Sequence, residues 1–251
     1  LSDFHADAVV GFGGYVSIPV GLAASHLNIP LVIHEQNSVA GMTNNFLARR
    51  ASAICLTYPD TMPAMKERAK DDALISVTGN PVRASILAAR RDDARAALGL
   101  TDDDIFIFVF GGSRGARHIN TALIDALPSL LANPQVKIMH ATGKEEYQAV
   151  MDGVSDIRTD NRYTAQSYIE NMGSILAAAD IALCRAGATS IAELTALGIA
   201  AVLVPYPYAT DDHQTKNARA MVDHKAGLLV PDSQLDELLR PTLLELIENK
   251  G

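Results

Sequence analysis

The sequence predicts an α/β protein built on two parallel sheets. Three observations carry this prediction. Short apolar runs alternate with helical patterns along the 251 residues. The runs are apolar throughout, as strands covered on both faces must be. A turn-rich, charged segment at 79–104 divides one set of runs from another.

In chain order, the first set is AVVGF (8–12), PLVIH (30–34), SAICLT (52–57) and LISVT (74–78). Helical patterns such as IPVGLAASHL (18–27) and NNFLARRA (44–51) lie between them. The break, GNPVRASILAARRDDARAALGLTDDD (79–104), joins a Gly-Asn-Pro turn to an Ala-rich helical stretch. The second set is IFIFVF (105–110), VKIMHA (136–141), DIALC (180–184) and AAVLVP (200–205). Two Rossmann-like units with a cleft between them follow, the first without its start. The sequence has no internal repeat and no low-complexity tract.

Composition narrows the function. With 48% hydrophobic and 20% charged residues the chain has a globular composition, and every apolar run is far shorter than the ~18 residues of a spanning helix. Cys55 and Cys184 lie far apart without a C-x-x-C spacing, which gives neither a disulfide framework nor a zinc site and makes a reducing, cytosolic setting the default. A formal charge of −8 without a basic run argues against a nucleic-acid partner. The chain starts at LSDFHADAVVGFGG, where DAVVGF already reads as an interior strand, so a piece of a longer protein is expected. No signal-peptide pattern precedes it.

Two glycine turns sit where strands run into helices. In FVFGGSRGARHIN (108–120), Gly111, Gly112 and Gly115 would let a phosphate approach backbone N–H groups, with Ser113 as a further donor. The spacing is neither G-x-G-x-x-G nor a Walker loop, and a tight turn with a Ser cap reads equally well. In CRAGATSIAEL (184–194), the small residues Ala186 to Ser190 lead into a helix whose free N–H groups suit an anion. Ser190 and Glu193 also fit a capping box, and the two readings stay open. Both turns fall at strand carboxyl ends of one sheet, where two helix N-termini would suit a diphosphate and Glu193 would reach ribose hydroxyls.

Three other segments carry polar side chains at strand or helix ends. Arg83 in GNPVR could fork onto phosphate oxygens or sit in a surface ion pair. His213, Gln214 and Asn217 in DDHQTKNA (211–218) suit sugar hydroxyls, against simple capping by Asp211 or Asp212. In IHEQNSVAGMTN (33–44), four consecutive polar residues, His34 to Asn37, close a strand, and burying them without purpose is costly. His34 is a candidate general base or a satisfied structural histidine. GFGGYVSIP (11–19) is a further Gly-rich strand end.

The ordered series GFGGYVSIP, IPLVIHEQNSVAGMTN, VTGNPVR, GGSRGARHIN, RAGATSIAEL and DDHQTKNA resembles the MurG family of peptidoglycan N-acetylglucosaminyltransferases, from residue 7 to about 230. The resemblance implies a GT-B fold, with 1–83 as the later part of an acceptor-side and membrane-side domain and 84–251 as a UDP-sugar donor domain. It implies inverting transfer of N-acetylglucosamine from UDP-N-acetylglucosamine to lipid I, without metal or other cofactor, at the cytoplasmic side of the bacterial membrane. Carried over by position, Asn37, Arg83, Ser113, Gln214 and the loop Ala188, Thr189, Ser190, Ile191, Ala192, Glu193 would contact the donor, and Ile169 would meet the uracil through its backbone. The family's N-terminal Gly-rich loop, with its candidate catalytic histidine, has no counterpart here. Neither has its C-terminal helical end. A UDP-N-acetylglucosamine 2-epimerase of the same fold is the rival reading, and a donor-binding module without catalysis is another.

Overall fold

The computed structural model describes the chain apart from Ser2, 113–115, Arg158, Thr210, Asp211 and 250–251. It divides into two compact units, Leu1–Pro81 with Thr210–Asn217, and Val82–Ala209 with Ala218–Gly251.

The first unit runs β1 (Val9–Gly11), α1 (Ser17–His26), β2 (Leu31–Glu35), α2 (Met42–Leu47), β3 (Ala53–Leu56), α3 (Met62–Arg68) and β4 (Leu74–Val77). The strands pair in the order β1-β2-β3-β4, all parallel, with Val9 beside Leu31, Val32 beside Ala53 and Ala53 beside Leu74. Leu31, Ile33, Leu47, Ile54, Leu56 and Met65 form its core. Between β1 and α1, Gly13 and Gly14 both take positive φ (81° and 75°), which a side chain would oppose, and Ser17 Oγ donates to Gly13 O.

The second unit continues with α4 (Ala84–Leu87), α5 (Arg91–Ala97), β5 (Ile105–Phe110), α6 (Arg117–Leu130), β6 (Val136–Ala141), α7 (Tyr147–Gly153), β7 (Tyr163–Gln166), α8 (Met172–Ala178), β8 (Ile181–Cys184), α9 (Ala188–Leu197) and β9 (Ala200–Leu203). Then come α10 (His213–Asp223), whose first turn clusters with the first unit, β10 (Leu228–Leu229) and α11 (Leu235–Glu248). Its parallel sheet has the order β10-β9-β8-β5-β6-β7. The period-two geometry of a strand explains why β5 reads IFIFVF: Ile105, Ile107 and Val109 enter the core beneath α6 and α11, while Phe106, Phe108 and Phe110 enter the opposite core with Leu176, Ile191 and Leu194. Both cysteines are free thiols. Among the described residues no helix is long and apolar enough to cross a membrane.

Two strands, β7 and β10, lie outside the runs predicted from sequence. β7 reads YTAQ, without an apolar run, and β10 is only the two residues Leu228 and Leu229. Helix contact also depends on a glycine the sequence did not flag. A Cβ at Gly173 in α8 would lie 2.6 Å from Ser85 O in α4. Gly173→Ala is expected to push α4 away and to cost about 1–3 kcal/mol, read by urea unfolding of the variant. A wild-type midpoint would show that the two helices separate freely.

Candidate functional site

The site in the second unit follows from strand order. Chain connection reverses between β5 and β8, since β6 and β7 lie to one side and β9 and β10 to the other. Ligands of open parallel sheets bind beyond the strand carboxyl ends at such a reversal. Phe110 pairs with Cys184, so the turns after β5 and β8 leave neighbouring strand ends. After β5, Gly112 has φ +91° and α6 begins at Arg117; Ser113 and Gly115 fall outside the described residues. After β8, Arg185, Ala186 and Gly187 lead into α9.

Helix α9 starts at Ala188 with Gly187 as N-cap and no side-chain cap. This corrects the capping-box reading: Ser190 lies inside the first turn, and Glu193 does not reach back to cap it. Glu193 is buried instead, and Arg83 donates from Nε (3.2 Å) and Nη2 (2.9 Å) to its Oε1. The Arg83 side chain is 60% exposed and the Glu193 side chain 5%. Arg83 thus forms an ion pair, and its partner is the buried acid of the candidate site. Of the other loop residues, Thr189 is exposed, Ile191 is buried, and Ala188, Ser190 and Ala192 are half-buried. Ile169 is a buried core residue that also borders a hollow of about 480 Å³ with Lys144, Gln166, Tyr168 and Glu170. Lys144 Nζ lies 5.7 Å from the Tyr168 ring centre.

Sequence reasoning missed the groups that brace the β8 turn. Arg185 donates to Val204 O (3.4 Å) and Pro205 O (3.2 Å) and pairs with Asp232, which also bonds His118 Nδ1 (2.8 Å). The hydrogen bond with Asp232 raises the His118 pKa and favours its cation. The signal available was an Arg directly beside the small-residue turn.

The first unit gathers a separate polar set at the end of β2. His34 is buried, its Nδ1 accepts from Gln36 Nε2 (3.2 Å), and its Nε2–H donates to Gly79 O (3.0 Å), the tautomer being assigned from these partners. Both ring nitrogens are engaged, so His34 offers no free lone pair in this state and ties the strand end to the 79–81 turn. Asn37 is half-buried, with Oδ1 accepting from Asn217 Nδ2 (3.1 Å). Gln214 is half-buried on α10, one turn before buried Asn217. Asp212 Oδ1 accepts from Thr215 Oγ1 (2.6 Å), while Asp211 lies outside the described residues. A hollow of about 310 Å³ is lined by Tyr15, Glu35, Asn37, Asn44 and His213, among others. Among the described residues no group of three or more His, Cys, Asp or Glu is placed to hold a metal ion.

The C-terminal domain model of glycosyltransferase family 28 matches residues 106–251, and its N-terminal domain model matches residues 1–56. The class is therefore a family 28 glycosyltransferase with two parallel α/β units of GT-B type. The UDP-N-acetylglucosamine–N-acetylmuramyl-(pentapeptide) pyrophosphoryl-undecaprenol N-acetylglucosamine transferase of Desulforamulus reducens is 40% identical over 255 aligned positions, covering 100% of this chain and 68% of that protein. The crystal structure of Acinetobacter baumannii MurG superposes with a TM-score of 0.77 at 35% identity, covering 98% of this chain and 66% of that one. The chain belongs to this family of N-acetylglucosamine transferases, the MurG family, and spans about two thirds of the length of these relatives. A UDP-N-acetylglucosamine 2-epimerase from Listeria monocytogenes, described as putative, superposes with a TM-score of 0.72 over 99% of this chain and 68% of that one, but at 14% identity it shares the fold alone.

Proposed function

We propose that the chain holds UDP-N-acetylglucosamine mainly through its second unit and serves transfer of the sugar to the C4 hydroxyl of the muramoyl residue of lipid I, which yields lipid II. The observation that carries the reading is the pair of small-residue turns leaving neighbouring strands β5 and β8 where strand order reverses. The relatives' transferase activity supports the same reaction.

Chemically, the acceptor hydroxyl loses its proton as it attacks the anomeric carbon from the face opposite the leaving UDP, with inversion. Charge develops on the diphosphate, and N–H groups at the starts of α6 and α9 are preorganised donors for it. Arg83 keeps the buried Glu193 satisfied in the free protein. When nucleotide enters, the exposed guanidinium turns to the diphosphate and Glu193 accepts from ribose hydroxyls. The first unit, with Tyr15, Val16 and Met42 exposed, is assigned to the acceptor and the membrane surface.

Calorimetry tests this. UDP is expected to bind with chelator present as well as with magnesium, because helix termini and Arg83 supply the counter-charge; an absolute need for a divalent ion would overturn it. Glu193→Gln is expected to weaken UDP by about 1–3 kcal/mol while leaving the melting midpoint near wild type, since the amide oxygen still accepts from Arg83. A variant that melts lower yet binds UDP normally would reduce Glu193 to a structural group.

A further inference from the structure

Glu35 is 1% exposed and closes β2, yet it faces no cation among the described residues. Its charge is met by four donors, three from the loop that follows and one from α2. Oε1 accepts from Asn37 N (3.0 Å) and Asn37 Nδ2 (3.3 Å), and Oε2 accepts from Gly41 N (3.0 Å) and Asn44 Nδ2 (2.8 Å). The backbone under this carboxylate is anchored as well, because the Glu35 carbonyl accepts from both Thr57 N (3.0 Å) and Thr57 Oγ1 (3.0 Å) on the chain after β3. From the other side Asn217, fully buried on α10, donates to Asn37 Oδ1 and accepts from Ser38 N (3.0 Å).

These bonds leave Asn37 little rotational freedom. One Nδ2 hydrogen and one Oδ1 lone pair remain for a ligand, and both point where the two clasps leave them. Unmet capacity lies close by: Ser38 Oγ in this loop, and Asn44 Oδ1 and Asn45 Oδ1 in the first turn and a half of α2, are buried without a hydrogen-bond partner among the described residues. Buried polar atoms normally find partners, and three such atoms between residues 38 and 45 mark a segment shaped by something other than its own packing.

We infer that Glu35 is a positioning residue, whose buried carboxylate sets the backbone and amide of Asn37 in the orientation that meets the sugar nucleotide. The inference rests on the reading of Asn37 as a donor contact. It gives Glu35 no contact with substrate and no proton to move. A glutamine at this position would keep the shape but replace one acceptor oxygen by an amide donor, so one pair of loop donors would face a donor.

The test is a double-variant cycle on UDP-N-acetylglucosamine affinity, with melting curves on every protein. Asn37→Ala and Glu35→Gln are each expected to weaken binding about tenfold, the worth of one well-made hydrogen bond, and the double variant to bind no worse than Asn37→Ala. A merely structural Glu35 would lower the melting point in both backgrounds and add its effect on affinity to that of Asn37→Ala; additive losses overturn the inference. Wild-type affinity in Glu35→Gln, with Asn37→Ala weakened, overturns it too. Wild-type affinity in Asn37→Ala instead removes the reading of Asn37, and the inference with it. Should Glu35→Gln not fold, Asn217→Ala replaces it in the same cycle, since it releases Asn37 Oδ1 from the opposite side.

Discussion

Asp180→Ala is expected to destabilise the second unit by on the order of 3–5 kcal/mol, the range for breaking a buried ion pair from one side. Asp180 sits just before β8 and joins three elements. It accepts from Arg91 Nη2 on Oδ1, and from Arg95 Nη1 (3.0 Å) and Phe106 N (2.7 Å) on Oδ2. The Arg95 side chain is 8% exposed, and its other bonds run to the carbonyls of Ala178, Thr101 and Asp104. Without Asp180 it would be a buried cation without its carboxylate, and the first strand of the sheet would lose an anchor. Burial alone would raise the Asp180 pKa; the bonds from Phe106 N–H, Arg91 and Arg95 outweigh it and hold the carboxyl below its usual range. Urea unfolding of the variant is the measurement, and a loss under about 1 kcal/mol would mean that solvent screens the cluster as it does surface pairs.

Stability is also expected to fall by on the order of 2 kcal/mol between pH 7 and 5, approaching 3 kcal/mol by pH 4, through one histidine. His140 in β6 is fully buried. Its Nε2–H donates to Asn120 Oδ1 (3.0 Å) and its Nδ1 accepts from Tyr163 Oη (2.9 Å), again assigned from the partners. Burial lowers its pKa from 6.5 to about 4. The sign follows: between those values the unfolded chain binds a proton that the folded chain refuses, so the contribution is complete above pH 6.5 and is lost as pH falls through 4. His140→Gln removes the titration, and unfolding curves at pH 7 and 5 should differ less for this variant than for the parent. An equal difference in both would place the acid sensitivity in the carboxylates.

The alternation of apolar runs and helical patterns was enough to read two parallel sheets, because every long strand is covered on both faces and its neighbours in sequence are its own crossover helices. β5 could be placed from IFIFVF alone. β7 could not: it is a sheet edge of four residues, one of them buried, and edges need no apolar run. The turn after β8 was equally legible, since a strand end, small residues and a helix start are local features. The start of α9 was not. Ser190 and Glu193 satisfy a capping pattern that holds for an isolated segment, and the burial of Glu193 against Arg83 overrides it.

The same division separates the two units' polar sets. HEQN at the end of β2 announced buried polarity, because four such residues in a row cannot be accidental at a strand end. How they are held depended on partners that local pattern does not encode: Asn217, 180 positions from Asn37, and Thr57 beyond the next strand. Arg83 and Glu193 stand 110 positions apart. Periodicity and turn chemistry act over a few residues and are written directly in the chain, so strands, crossovers and small-residue turns follow from them. A buried carboxylate takes whichever donors surround it: those of Glu35 lie within nine positions along the chain, whereas only the folded structure brings Arg83 to Glu193 and Asn217 to Asn37.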